Sequence, residues 1–126
     1  MKKIIYSPQA PAAAGTYSQA VRVGDIVYVS GQLGLVATTG ELAIDFEAQC
    51  HEMFKNLRSI CEAAGATLND VVKISLFLTD LSYFTQLNEI MGQYIAEPYP
   101  ARATVQVAAL PKGGMVEADV VVYKPL

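Results

Sequence analysis

The chain has 126 residues, 52% of them apolar, with 9 Lys plus Arg against 12 Asp plus Glu and a formal charge of −3. That is enough apolar material for one domain with a real core, which excludes a disordered chain. The acidic balance without any basic run excludes a dedicated nucleic-acid surface, and no stretch is long enough to span a membrane.

From the N-terminus, Met1-Lys2-Lys3 is basic, but the apolar stretch Ile4-Ile5-Tyr6 is stopped by Ser7-Pro8, so no signal peptide is read and the expected location is cytoplasmic. Strands are predicted over Lys3–Tyr6, Ala20–Val23 and Ile26–Gln32, the last two joined as a hairpin through Gly24-Asp25. A helix follows from Asp45 to Ala64. Phe46, Cys50, Met53, Phe54, Leu57, Ile60, Cys61 and Ala64 recur on one face. Asp45 is the expected N-cap, Glu47 suits the positive end of the helix dipole, and Gly65 is the expected stop. His51 falls outside the apolar arc and reads as a solvated surface residue.

Cys50 and Cys61, the only cysteines, lie on this helix. Their backbones are then roughly 16 Å apart, too far for a disulfide, and both read as core residues. With a lone histidine they make no zinc site. A fourth strand is predicted over Val71–Thr79. A second helix runs from Tyr83 to Ala96, with Ser82 as N-cap and Pro98 and Pro100 ending it. Asn88 sits at the edge of its apolar stripe. Strands over Ala101–Ala108 and Val116–Tyr123 complete an α+β domain, a mixed sheet of about six strands with two helices packed on one face.

Strand alternation divides the side chains between two faces. In the fifth strand Ala101, Ala103, Val105 and Val107 are expected to face the helices, with Arg102, Thr104 and Gln106 pointing away. In the sixth, Glu117, Asp119, Val121 and Tyr123 take the face opposite Val116, Ala118, Val120 and Val122. In the third, Tyr28, Ser30 and Gln32 alternate with Val27, Val29 and Gly31; in the fourth, Lys73, Ser75 and Phe77 alternate with Val72, Ile74, Leu76 and Leu78. The open face mixes apolar with polar residues. An antiparallel sheet can wet such a face, but two helices for six strands favour its burial against further copies of the chain.

No Gly-rich phosphate loop, metal-ligand motif or Ser-His-Asp set is present. Any chemistry must rest on carboxylates, Arg, Tyr, hydroxyls or backbone. Four segments carry a resemblance: Ala10-Pro11-Ala12-Ala13-Ala14-Gly15-Thr16-Tyr17-Ser18-Gln19-Ala20, Val29-Ser30-Gly31-Gln32, Pro100-Ala101-Arg102-Ala103-Thr104-Val105-Gln106-Val107, and Leu110-Pro111 leading to Val116-Glu117-Ala118-Asp119. In this order and spacing they resemble the RidA/YjgF family, also called the perchloric-acid-soluble translation inhibitors. The whole of 1–126 then reads as a single domain of that type.

The resemblance implies a chorismate-mutase-like fold and a homotrimer with active sites in clefts between subunits. It implies hydrolysis of 2-aminoacrylate- and 2-aminocrotonate-type enamines and imines, released by pyridoxal-phosphate enzymes, to 2-keto acids and ammonia. It also implies no metal or organic cofactor; the acidic charge and the lack of a long apolar run, for their part, lead to the expectation of no nucleic-acid or membrane partner. Arg102 fits as the residue that grasps the substrate carboxylate in a planar fork, although from the residues alone it can equally be a structural ion pair with Glu117 or Asp119. Glu117 fits as the carboxylate that positions and activates water, with Asp119 on the same face as its alternative. Tyr17 closes the cleft and lends a hydroxyl; Ser30, Gly31, Asn88 and Thr104 complete the binding set. Thr104 stands where many relatives have Cys, which removes any covalent thiol route. Three other readings remain: a non-catalytic keto-acid-binding trimer, an endoribonuclease, and an isomerase suggested by fold alone.

Overall fold

A computed structural model covers residues 1–126. One six-stranded sheet is formed by β1 (Lys3–Ile5), β2 (Ala20–Val23), β3 (Ile26–Leu33), β4 (Val71–Leu78), β5 (Ala101–Gln106) and β6 (Val116–Tyr123). The strand order is β1-β2-β3-β6-β4-β5, with β4 and β5 parallel and every other pair antiparallel. Helices α1 (Phe46–Ala63) and α2 (Phe84–Met91) pack on one face. No helix is long and apolar enough to cross a membrane.

The expected α+β architecture is therefore observed. The core lies between α1 and the sheet, where Met53, Phe54, Leu57 and Ile60 meet Val27, Ile74, Leu76, Leu78, Val116 and Val122, all fully buried. Each such aliphatic or aromatic side chain contributes about 1.5–3 kcal/mol by leaving water. Cys50 and Cys61 are free and buried among them, and burial pushes both thiols up to about 12.

α1 forms as its sequence requires. The Asp45 carboxylate accepts the Ala48 amide at 2.9 Å, and Gly65 takes φ +79° just beyond the helix end. No basic residue lies in its last turn. The buried Arg22 of β2 supplies that cation from outside, donating to the Ala64 carbonyl at 2.8 Å and the Lys124 carbonyl at 2.7 Å. The hairpin turn at Gly24-Asp25 is as expected: Val23 pairs with Ile26, and Gly24 takes φ +59°.

Several expectations are corrected. α2 is shorter than the predicted Tyr83–Ala96. A 3-10 turn at Leu81–Tyr83 leads into it, capped by Asp80 rather than Ser82: the Asp80 carboxylate accepts the Ser82 amide at 2.8 Å. The helix stops at Met91, before either proline, because tight turns follow in which Gln93 and Tyr94 donate to the Ile90 and Met91 carbonyls. Those turns let the Tyr94 ring stack on Phe54 at 5.1 Å between centroids. Its hydroxyl meets His51 Nδ1 at 2.7 Å, so His51 is half-buried against the second helical segment rather than freely solvated.

The sheet faces differ from the expected division at three strands. In β3 the register with β6 shifts between Val29 and Gln32. This bulge turns Gln32 into the core side and Gly31 out, the reverse of simple alternation. A similar shift between Val71 and Lys73 buries Val71 and exposes Val72. In β5 the whole assignment inverts. Arg102 and Thr104 pair in register with Ile74 and Leu76, the helix-side residues of β4, while Ala101, Ala103 and Val105 lie on the open face.

Candidate active site

The predicted site residues fall into two cavities on opposite faces of the sheet. The first, about 360 Å3, is lined by Asn88, Met91 and Gly92 of the second helical segment together with Tyr99, Pro100 and Arg102. Arg102 projects from edge strand β5 beneath α2. Its Nη1 donates to Asn88 Oδ1 at 2.6 Å and approaches Met91 Sδ at 3.9 Å, and its guanidinium stands 5.1 Å from the centre of the Phe84 ring. The side chain is half-buried and joins neither of the chain's two ion pairs, Lys55–Glu52 and Lys124–Asp70. The structural ion pair with Glu117 or Asp119 is thereby excluded within the chain. A guanidinium has five N–H donors, and Asn88 and Met91 engage one of its nitrogens, so the fork can still grip a carboxylate.

The second cavity, about 920 Å3, is lined by Tyr17, Ser30, Gly31, Phe77, Glu117 and Asp119 among others. The β3 bulge builds its wall. Gly31 faces Glu117 so closely that a Cβ at position 31 would stand 2.9 Å from Glu117 Oε2. Only glycine leaves that carboxyl undisturbed. Burial and the nearby Asp119 charge raise the Glu117 pKa above the usual carboxylate range. A carboxyl in that condition holds its proton to higher pH than an exposed one.

The loop of residues 11–19 forms the rim. Tyr17 is exposed, and its hydroxyl accepts the Ala14 amide at 3.2 Å. The loop is held by Gln19, a buried residue that sequence reading did not single out. Its amide accepts from the Ser7 N–H at 2.6 Å and donates to the Pro11 carbonyl at 2.9 Å. Ser30 serves the same purpose, since its hydroxyl donates to the Ser18 carbonyl at 2.5 Å. Thr104 lines neither cavity, and its Oγ1 is buried without a hydrogen-bond partner.

Thus Arg102 and Asn88 are brought together, as are Tyr17, Ser30, Gly31 and Glu117, but a single chain does not unite the two groups. Sequence reading also passed over Phe84, exposed and set against Arg102, and Lys112, the only non-glycine residue at positive φ, on the rim of the larger cavity. Neither carries a local signal, because each gains its place from a segment distant in sequence.

Residues 7–124 match the family model described as endoribonuclease L-PSP. A 2-iminobutanoate/2-iminopropanoate deaminase of Dermatophagoides farinae is 44% identical over 124 residues, covering 96% of this chain and 95% of its own. The solved structure of RidA from the Antarctic bacterium Psychrobacter sp. PAMC 21119 is 58% identical, with a TM-score of 0.94 over 96% of this chain and 98% of that one. That of E. coli TdcF with bound serine is 36% identical, with a TM-score of 0.92 over 97% of this chain and 98% of that one. Matched over nearly its full length in sequence and in fold, the chain belongs to the YjgF/RidA family.

Proposed function

We propose that this protein is a cytoplasmic, homotrimeric deaminase that hydrolyses small 2-imino acids, in equilibrium with their 2-enamino forms, to 2-keto acids and ammonia. One observation carries the reading. Arg102 is a half-buried guanidinium beside a cavity, oriented by Asn88 and Phe84, with no carboxylate of its own chain to neutralise it. Such a group suits the carboxylate of a small acid, held by two parallel charge-assisted bonds. The imine deaminase of Dermatophagoides farinae and the serine bound to TdcF support an amino-acid-like ligand.

A second copy completes the site in this reading. The open sheet face exposes Tyr28, Val105 and Tyr123, which closed association would cover, bringing the Glu117 cavity of one subunit against the Arg102 cavity of the next. Glu117 first protonates the imine nitrogen. A water then bonds to the imine carbon and returns a proton to Glu117, forming the carbinolamine. Glu117 next carries the hydroxyl proton to the amino nitrogen. The C–N bond breaks with its electron pair on nitrogen, ammonia leaves, and C=O forms. Imines hydrolyse unaided in water, so positioning and proton transfer suffice for the acceleration.

The test couples the protein to a threonine dehydratase in the presence of semicarbazide, which traps the imine. Added protein is expected to divert product from semicarbazone to keto acid. No diversion rejects the deaminase. Retained keto-acid binding without turnover would instead favour a sensor, and RNA cleavage abolished by a site substitution would favour the endoribonuclease.

A further inference from the structure

Glu117 and Asp119 alternate with Ala118 on β6, so both leave the sheet on its open face, about 6.6 Å apart along the strand. Both are half-buried, both line the larger cavity, and neither is in an ion pair. Their surroundings differ. Across β4, Glu117 stands opposite Phe77, whereas Asp119 stands opposite Ser75, a hydroxyl able to donate. Across β3, Glu117 meets Leu33 and the bare backbone of Gly31. The remaining charged or titratable groups facing this surface are Lys73 of β4, paired two residues further on with Val121, Tyr28 of β3, also paired with Val121, Tyr123 at the far end of β6, and Tyr17 and Lys112 on the rim. None forms an ion pair or hydrogen bond with Glu117.

Two carboxylates that share a cavity disfavour each other's charge, so one of them holds its proton to higher pH than it would alone. Of the two, Glu117 is the member with apolar neighbours, and its charge is the one disfavoured. We propose that Asp119 is a positioning residue of the site: its negative charge, on the same strand face and in the same cavity, opposes ionisation of Glu117, so that Glu117 meets the imine as an acid. The inference rests on the deaminase reading and assigns Asp119 a part in it. The balance of the reaction is unchanged. Asp119 exchanges no atom with substrate; it sets which carboxyl donates first. The raised Glu117 pKa, to which Asp119 contributes second after burial, agrees with this arrangement.

The test follows the Glu117 side-chain carboxyl by 13C NMR across pH in the full-length protein, with the pH profile of kcat/KM beside it. In Asp119→Asn the Glu117 titration is expected to move to lower pH. The alkaline limb of the profile should move with it, so activity falls severalfold at alkaline pH and little at acidic pH. Asp119→Glu, which keeps the charge, should restore both. A Glu117 titration unmoved in folded Asp119→Asn overturns the inference, as does a loss of activity uniform across pH with neither limb displaced. The NMR titration needs no turnover. If it moves while no imine is hydrolysed by the parent protein, the deaminase reading fails and the carboxylate coupling stands.

Discussion

Glu117 sits where its charge is disfavoured, and that has a thermodynamic sign. Its pKa in the folded protein lies above the ordinary 4.5, through burial first and the Asp119 charge second. The protonated form is therefore the one the fold favours. Its contribution is fully present below 4.5 and is lost as pH rises through the raised value. Glu117→Gln, which mimics the protonated side chain, should raise the urea midpoint near pH 7 relative to the parent and leave it unchanged near pH 3. The same substitution should lower kcat while leaving KM nearly unaltered, since glutamine cannot pass a proton. For Arg102 the proposed role is tested through catalysis rather than stability. Arg102→Ala should lower kcat/KM by about 100-fold, the worth of a charge-assisted pair of hydrogen bonds. Arg102→Lys should recover little of it, since an ammonium does not reproduce the planar fork. Steady-state kinetics with imine generated in situ reads both.

At the scale of elements, the bulge in β3 is the feature that makes the larger cavity. It turns Gly31 toward Glu117 and, a few residues on, brings Gly34 against the α1 backbone at Gln49. Gln49 and Asn56 fasten that junction. Gln49 donates to the Ala43 carbonyl at 3.1 Å and accepts the Met115 amide at 2.9 Å, and Asn56 donates to the Leu35 carbonyl at 2.9 Å. A methyl at position 34 meets backbone that cannot step aside, so Gly34→Ala should destabilise by about 3 kcal/mol in urea unfolding. These buried amides look polar in sequence and break the apolar stripe of α1. Periodicity alone assigns them to the surface, and only the loop of residues 33–43 packed over them makes them interior.

For the whole molecule, the two cavities on opposite sheet faces are the central fact. Neither is complete without a neighbour in the proposed assembly, and this can be tested without a structure of the trimer. Arg102→Ala and Glu117→Gln subunits are each expected to be nearly inactive alone. Unfolded together in equal amounts and refolded, they should regain roughly one quarter of the parent activity, since random closed rings place an intact Arg102 beside an intact Glu117 at that share of junctions. A site within one chain would regain nothing. Charge on the open face, as in Val105→Glu, should yield monomers by sedimentation velocity and abolish turnover while the fold persists.

The sequence by itself determined the element order, the span of α1 with its caps, the hairpin at Gly24-Asp25 and the burial of both cysteines, because each is written in local spacing or in a run of adjacent residues. Alternation in β5 separated Arg102 and Thr104 from Ala101, Ala103 and Val105, yet it could not say which set lies under the helices. The apolar set was the natural choice for the core. Tertiary structure decided otherwise, because α2 ends at Met91 and leaves the edge strand only partly covered, with Asn88 and Phe84 placed to receive a guanidinium. A side chain's face depends on what arrives from elsewhere in the chain, and that is a property of packing rather than of period.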